Sequence, residues 1–370
     1  MTRARELANL GNNTTDLEAI NTVYDAGGLT GRNLIINGAM QVAQRSTSTS
    51  VGDSATYKTM DRWQIGINGT TAGRATMSQS TDAPTGFGYS MKFDVTTADT
   101  SIATGEAFGV LQRIEGQNVQ HINKGTSDAK VCTFSFYAKG TAKTYIAEFR
   151  DDNSRQVSAT FNVTTSWQRF EITVPADTTG TIDNDNTAGF LAIFWLHAGS
   201  DFTSGTLNTS WATSTNANRM VGCDSIFDST SNELFITGVQ FELGETATPF
   251  EHRSYGDELR RCQRYYQQYL NPPLRGTMSA GSASSRTGMI LPVPMRATPS
   301  VTFTQTGATS HAALFNGAAS YTISSIQASY LADFCIEFDF NLASAPTAAT
   351  PAALYQSSTL QSKFAVSAEL

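Results

Sequence analysis

Charge is scarce in this chain. Only 15% of its 370 residues are Asp, Glu, Lys or Arg, against roughly a quarter in ordinary globular domains. That argues against a typical cytosolic helical enzyme. Thr, Ser, Ala, Gly and Asn fill the space, which is the balance of a β-rich protein with neutral, polar surfaces. Basic residues are fewer than acidic ones, for a net charge of −7. They are scattered, and a phosphate backbone needs a basic face, so no nucleic-acid partner is expected. One local cluster, Arg260, Arg261 and Arg264, reads as the solvated side of a helix.

Cysteine is sparse too. Cys132, Cys223, Cys262 and Cys335 stand alone among apolar or strand-like neighbours. No C-x-x-C or Cys/His pairing points to zinc. Disulfides remain open, but isolated cysteines fit better as free, buried, small hydrophobes, made in a reducing compartment. Long apolar runs are missing, so no membrane insertion is expected. The segment Met1 to Ala8 has no apolar core of a signal peptide. Export would then depend on cell lysis.

Catalytic patterns are absent as well. His121, His197, His252 and His311 form no H-E-x-x-H and sit in no nucleophile motif. The glycines are spread through turns, with no phosphate loop among them. Asp151-Asp152 and Asp183-Asn184-Asp185-Asn186 offer carboxylates of the kind that glycoside hydrolysis uses in pairs. The simpler reading is a turn whose Asx side chains bond local backbone. No catalytic residue, cofactor or metal ligand is assigned, and the chain is expected not to be an enzyme.

What is present is a sequence of four parts. Residues 1–30 carry two short helix patterns, from Thr2 to Leu10 and from the capping box Thr15-Asp16-Leu17-Glu18 to Gly27-Gly28. Helices this short are marginal alone, so the segment is either a frayed terminus or a peptide that docks on another surface. Residues 31–253 read as an antiparallel sandwich or jelly roll. Its strands are expected at Asn33 to Gly38, Asp61 to Ile67, Ser90 to Val95, Val131 to Lys139, Thr144 to Phe149, Ser158 to Val163, Gln168 to Val174, Gly189 to His197 and Leu234 to Leu243.

Residues 254–272 are expected to form a linking helix, capped by Ser254-x-x-Asp257 and ended by Pro272-Pro273. Leu259, Cys262, Tyr266 and Tyr269 would line one seam, packing either on the chain's own domain or at a three-fold axis. Residues 273–370 read as a second, smaller β domain. It has an extended, proline-punctuated strand from Gly288 to Pro299 and further strands at Ser300 to Thr304, Tyr321 to Ile323, Cys335 to Phe340 and Lys363 to Leu370.

Several of these stretches carry a family resemblance. They are Asn33-Leu34-Ile35-Ile36-Asn37-Gly38-Ala39-Met40, Ala43-Gln44-Arg45, Asp61-Arg62-Trp63, Phe134 to Gly140, Trp167-Gln168-Arg169-Phe170, and Gly238 to Gly244 running into Thr248-Pro249-Phe250. Together they resemble the jelly-roll domain of tail-fibre and appendage proteins of tailed phages, whose middle strands look like those of carbohydrate-binding modules. The C-terminal block is similar to tip modules of such fibres.

The resemblance implies a virion structural protein, assembled in the host cytoplasm and exposed on the particle. It further implies a homotrimer, attachment to another virion protein through residues 1–30, and adsorption to a host surface glycan or protein. A capsid decoration protein is the alternative. A polysaccharide depolymerase is a third reading, opposed by the missing acid pair. Sugar binding by such folds uses exposed aromatic rings beside Asn, Asp or Arg. Of Trp63, Trp167, Trp195 and Trp211, the first three belong to strands and fit a core role. Trp211, in the polar loop Gly205 to Ala217, is the expected ligand contact. Structural calcium in such modules is held partly by acids of the last strand. Gly238-Val239 stands there instead, which argues against calcium, and no metal residue is assigned.

Overall fold

The computed structural model describes residues 31–69, 71–151, 153–270, 272, 274–278, 281, 283–306, 313–315, 320–346, 350–355 and 361–370. The expected helices and docking role of residues 1–30 lie outside them, as do Asp152 and Pro273. The chain divides into two compact units, Met1–Tyr255 and Gly256–Leu370. Among the described residues no helix is long and apolar enough to cross a membrane.

The first unit is all-β. Its strands are β1 (Ser48–Val51), β2 (Gln64–Asn68), β3 (Arg74–Ser80), β4 (Ser90–Thr97), β5 (Ala107–Glu115), β6 (Cys132–Gly140), β7 (Lys143–Asp151), β8 (Arg155–Val163), β9 (Gln168–Val174), β10 (Ala188–Ala198), β11 (Ala212–Thr213) and β12 (Glu233–Leu243). They form two six-stranded antiparallel sheets, ordered β1-β3-β4-β12-β6-β9 and β11-β8-β7-β10-β5-β2. This is the expected jelly-roll sandwich.

The core is aromatic. Phe134, Phe136 and Phe161 each place their ring within 5.8 Å of Phe194, and Phe241 stacks on Phe190 at 4.9 Å. Each such ring, fully buried, contributes about 1.5–3 kcal/mol by area alone. Trp63 is fully buried there too. Strands β1, β3, β5 and β11 were not anticipated. Ser48–Val51 and Arg74–Ser80 are too polar to stand out.

Asn33 to Gly38 is not a strand. Asparagine side chains take the place of a ladder there. Asn33 Oδ1 accepts from the amides of Ile35 and Phe241, and its Nδ2 donates to Val239 O. Asn37 brackets Val42 in the same way, accepting from its amide and donating to its carbonyl. Gly38 lies so close to β12 that a Cβ would meet Val239 O at 2.0 Å.

The second unit departs further from expectation. Helix α2 (Tyr255–Gln263), which begins at the unit boundary, stops short, and Tyr266–Leu270 is a strand, β13. Helix α1 (Ser200–Thr203) belongs to the first unit. The expected seam is therefore split: Leu259 and Cys262 are helical, Tyr266 and Tyr269 are not. Tertiary pairing decides this, because β13 pairs from Tyr266↔Ser367 to Leu270↔Lys363 with the C-terminal strand β21 (Gln361–Ser367).

On its other edge β21 pairs β16 (Ser300–Thr306). The remaining strands are β14 (Arg275–Met278), β15 (Ser284–Ile290), β17 (Ala313–Phe315), β18 (Ser320–Leu331), β19 (Cys335–Leu342) and β20 (Thr350–Tyr355). They close a ring in the order β14-β15-β19-β18-β17-β20. The proline-punctuated strand expected to run to Pro299 ends at Ile290. Pro292, Pro294 and Pro299 lie beyond it, because proline has no N–H for a ladder.

Candidate functional site

Strand β10 explains where a site can form. Its apolar run is buried from Gly189 to His197, so both faces of the second sheet are covered. Phe190, Ala192, Phe194 and Leu196 face the core between the sheets. Leu191, Ile193 and Trp195 face outward and join a second cluster with Phe202 and Met220. Those two residues come from the segment that follows β10 and folds back over the sheet. The amide of Gly199 donates to Glu106 O, and that of Met220 to Phe202 O.

That outer face holds a groove of about 270 Å³. Its floor is apolar, with Leu111, Leu191, Ile193 and Trp195, and its rim carries Gln64, Asn68, Arg113, Arg150, Asn216 and Arg219. Such a mixture, a greasy base with a few placed polar groups, is the usual make-up of a small-ligand site.

Trp195 is set by glycines. It stands opposite Gly109 on β5, and Gly109 stands opposite Gly66 on β2. A Cβ at Gly109 would lie 2.8 Å from Trp195 Cε3, and one at Gly66 3.7 Å from Cη2. The indole therefore lies across both positions. Its Nε1 donates to Glu148 Oε2 at 2.6 Å. Arg219 donates to the same carboxylate from Nε and Nη2, at 2.8 and 2.9 Å. The Arg219 guanidinium also sits 5.3 Å from the indole centroid. Glu148 is fully buried, so Arg219 both neutralises it and roofs the ring.

Two further arginines flank the floor. Arg113 on β5 and Arg150 on β7 are both register partners of Leu191, so they share its face of the sheet. Arg113 donates Nε–H to Gln64 Oε1 at 3.1 Å. Arg150 Nε is buried with no hydrogen-bond partner. A donor left so costs about 1–3 kcal/mol. Burial, then the charge of Arg219, lowers the pKa of Arg150 from its ordinary value, with Glu148 and Asp151 acting in the opposite direction. Among the described residues no Asp or Glu lines the groove.

Trp211, the expected contact, lies elsewhere and is only partly exposed. Its ring packs on the sandwich core and meets Phe190 edge-on at 6.2 Å. Its Nε1 donates to Pro175 O, and Lys124 Nζ sits 4.6 Å from the ring centroid. Lys124 in turn donates to Asp151, to Asp177 Oδ2 at 2.7 Å and to Thr179 O. Trp211 thus covers a buried ionic network, a packing role that its polar loop did not suggest. Trp167 is half-buried, with Nε1 donating to Asp82 Oδ1.

Asp185 behaves as the turn reading expects, accepting from Thr187 N and Oγ1. The groove residues were missed because none forms a local motif. The one signal was β10 itself, apolar on both faces.

Among the described residues Asp99, Glu106 and His197 have ligand atoms within 4.8 Å of one another. All three are buried, and none lines the groove. Asp99 Oδ2 already accepts from Thr71 Oγ1 and Ala72 N, and Glu106 Oε2 lies 3.5 Å from His197 Nε2. His197 Nδ1 contacts Ser225 Oγ at 2.8 Å, and its Nε2 has no hydrogen-bond partner among the described residues. A second depression, of about 590 Å³, lies beside Gln41, Gln79, Tyr89, Arg253 and Tyr255.

No family model matches the chain, and no curated protein sequence matches it. Among solved structures, the enzymatically active domain of bacteriophage CBA120 tailspike protein 4 aligns at 16% identity and a TM-score of 0.28, covering 57% of this chain and 21% of that one. The C-terminal family 22 carbohydrate binding module of Clostridium thermocellum Xyn10B aligns at 10% identity and a TM-score of 0.29, covering 60% and 100%. TmCBM61, solved with beta-1,4-galactotriose, aligns at 12% identity and 0.27, covering 58% and 100%. Superpositions at this level carry no weight for ligand or activity.

Proposed function

We propose that this chain is a binding subunit of a phage appendage whose jelly roll holds a host-surface glycan in the groove beside Trp195. The observation that carries it is the groove itself, with an apolar floor of Leu111, Leu191, Ile193 and Trp195 under a rim of amides and guanidinium groups. The rim of amides and guanidinium groups suits the hydroxyls of a sugar, and the buried apolar side chains beneath fix the rim in place. The family resemblance of Asn33 to Tyr266 supplies the phage setting. Weak sites repeated over several copies would give firm attachment through avidity.

Binding rather than cleavage is the role the groove suits. Hydrolysis of a glycosidic bond needs two carboxyl groups across it. Glu148 lies beneath the groove, bound by Trp195 and Arg219, and the rim has no acid.

Isothermal titration of the full chain against a panel of bacterial surface polysaccharides tests the reading. Binding that Asn216→Ala or Gln64→Ala weakens supports it. Binding lost in Tyr89→Ala but kept in those variants would move the site to the second depression. Shortened polysaccharide chains after incubation would replace binding by catalysis. Immunogold labelling of the particle tests the setting, and label on the head would favour a decoration protein.

A further inference from the structure

We infer that the ligand of this groove carries an oxyanion, a uronate carboxylate or a sulfate ester, seated between Arg113 and Arg150 above Leu191. This rests on the reading of the groove as a glycan site and names the class of glycan. The first support is register. Arg113, Leu191, Arg150 and Gln156 stand in one row across β5, β10, β7 and β8, on one face. Neighbouring strands are roughly 4.8 Å apart, so the two guanidinium stems rise about 10 Å from each other. That gap admits one oxyanion between the two heads.

The second support is hydrogen bonding. Arg150, which lines the groove, has a buried Nε without a hydrogen-bond partner. Neither Arg113 nor Arg150 has an ion pair among the described residues, and no acid lines the groove. The two arginines that line the groove therefore offer donors and no acceptor. An ionised carboxylate or a sulfate is acceptor-only and complements that, whereas a neutral hydroxyl brings its own donor. Guanidinium forks match such planar or tetrahedral oxyanions.

The third support is contrast. The chain carries a net charge of −7, so it repels anions in general. Three arginines over one buried glutamate make this face a local exception, and charge focused in a groove draws an anionic ligand in.

The experiment titrates the full chain with polygalacturonate, a sulfated galactan and a neutral galactan, each at low and at high salt. Binding to either acidic polymer, weakened by salt and lowered about 10- to 100-fold in Arg150→Gln or Arg113→Gln, is the expected result. The polymer that binds identifies carboxylate or sulfate. Because Arg150 Nε has no hydrogen-bond partner to lose and its charge is disfavoured by burial and by Arg219, Arg150→Gln should keep or raise the melting temperature while losing affinity. A purely structural arginine would do the reverse. Binding of the neutral polymer alone, unmoved by the arginine variants, would overturn the inference and leave the glycan reading standing. Binding of none of the three, or of any surface polysaccharide, would overturn both.

Discussion

Trp195 lies so close over Gly109 that a Cβ at that glycine would come 2.8 Å from the indole Cε3. The same Cβ would meet Phe194 O at 2.3 Å, so the backbone as well as the ring forbids it. Gly109→Ala should therefore cost about 1–3 kcal/mol, the range for overpacking. Chemical denaturation gives that figure. Tryptophan fluorescence should shift as well, because the displaced indole leaves Glu148. An unchanged spectrum and midpoint would mean that the ring is not held there.

Arg219 is the only cation that Glu148 bonds among the described residues. Arg219→Ala leaves a fully buried carboxylate with Trp195 Nε1 as its hydrogen-bond partner. Breaking one side of a buried pair costs about 3–5 kcal/mol. The double variant Arg219→Ala with Glu148→Gln should recover part of that loss, since the stranded charge is gone. A double-mutant cycle by urea denaturation measures the coupling, and additive losses would contradict the pair.

The network under Trp211 makes a prediction in pH. Burial alone would raise the Asp177 carboxyl, but hydrogen bonds from Arg155, Lys124 and Thr179 outweigh it and hold the pKa at about 2. Its unfolded value is the ordinary 3.8. As pH falls below 3.8 the unfolded chain takes up the proton first, so stability drops. The contribution is full above 3.8 and is lost as pH falls through about 2. Asp177→Asn should thus be less stable than the parent near neutrality, and the gap should narrow across that window. Denaturation series at several pH values check it, and a constant gap would refute the assignment.

The C-terminal strand is predicted to be indispensable to the second unit. Phe364 on β21 is fully buried, with its ring 4.9 Å from those of Phe303 and Phe338. Phe364→Ala should cost that unit about 3–5 kcal/mol. Glycan binding by the first unit should persist. Calorimetry together with the titration above separates the two effects.

The sandwich was legible in the sequence because its central strands alternate or run apolar within a few residues. Phe134 to Gly140, Gln168 to Val174 and Leu234 to Leu243 need no distant partner to be recognised. Asn33 to Gly38 misled because its apolar residues suggest a ladder, whereas Asn33 and Asn37 supply the hydrogen bonds from side chains. Tyr266 to Leu270 misled because helical spacing continues past Gln263, while the partner that makes it a strand lies near residue 365. Trp211 misled because a polar loop hides the Lys124 and Phe190 contacts that occupy its ring.

Composition and local period by themselves determined that this chain is all-β, that a sandwich precedes a smaller β unit, and that no local motif of catalysis runs through it. These are properties of neighbouring residues, and side-chain alternation expresses them directly. Only the tertiary structure assembled the groove on the outer face of the second sheet. Arg113, Arg150 and Arg219 are separated by dozens of residues, and so are Gly66, Gly109 and Trp195. Antiparallel register brings Arg113 and Arg150, and likewise Gly66, Gly109 and Trp195, onto one face of one sheet, and Arg219 reaches that face from a loop by bonding Glu148. A pattern assembled by hydrogen bonds between strands leaves no trace in any short stretch of sequence.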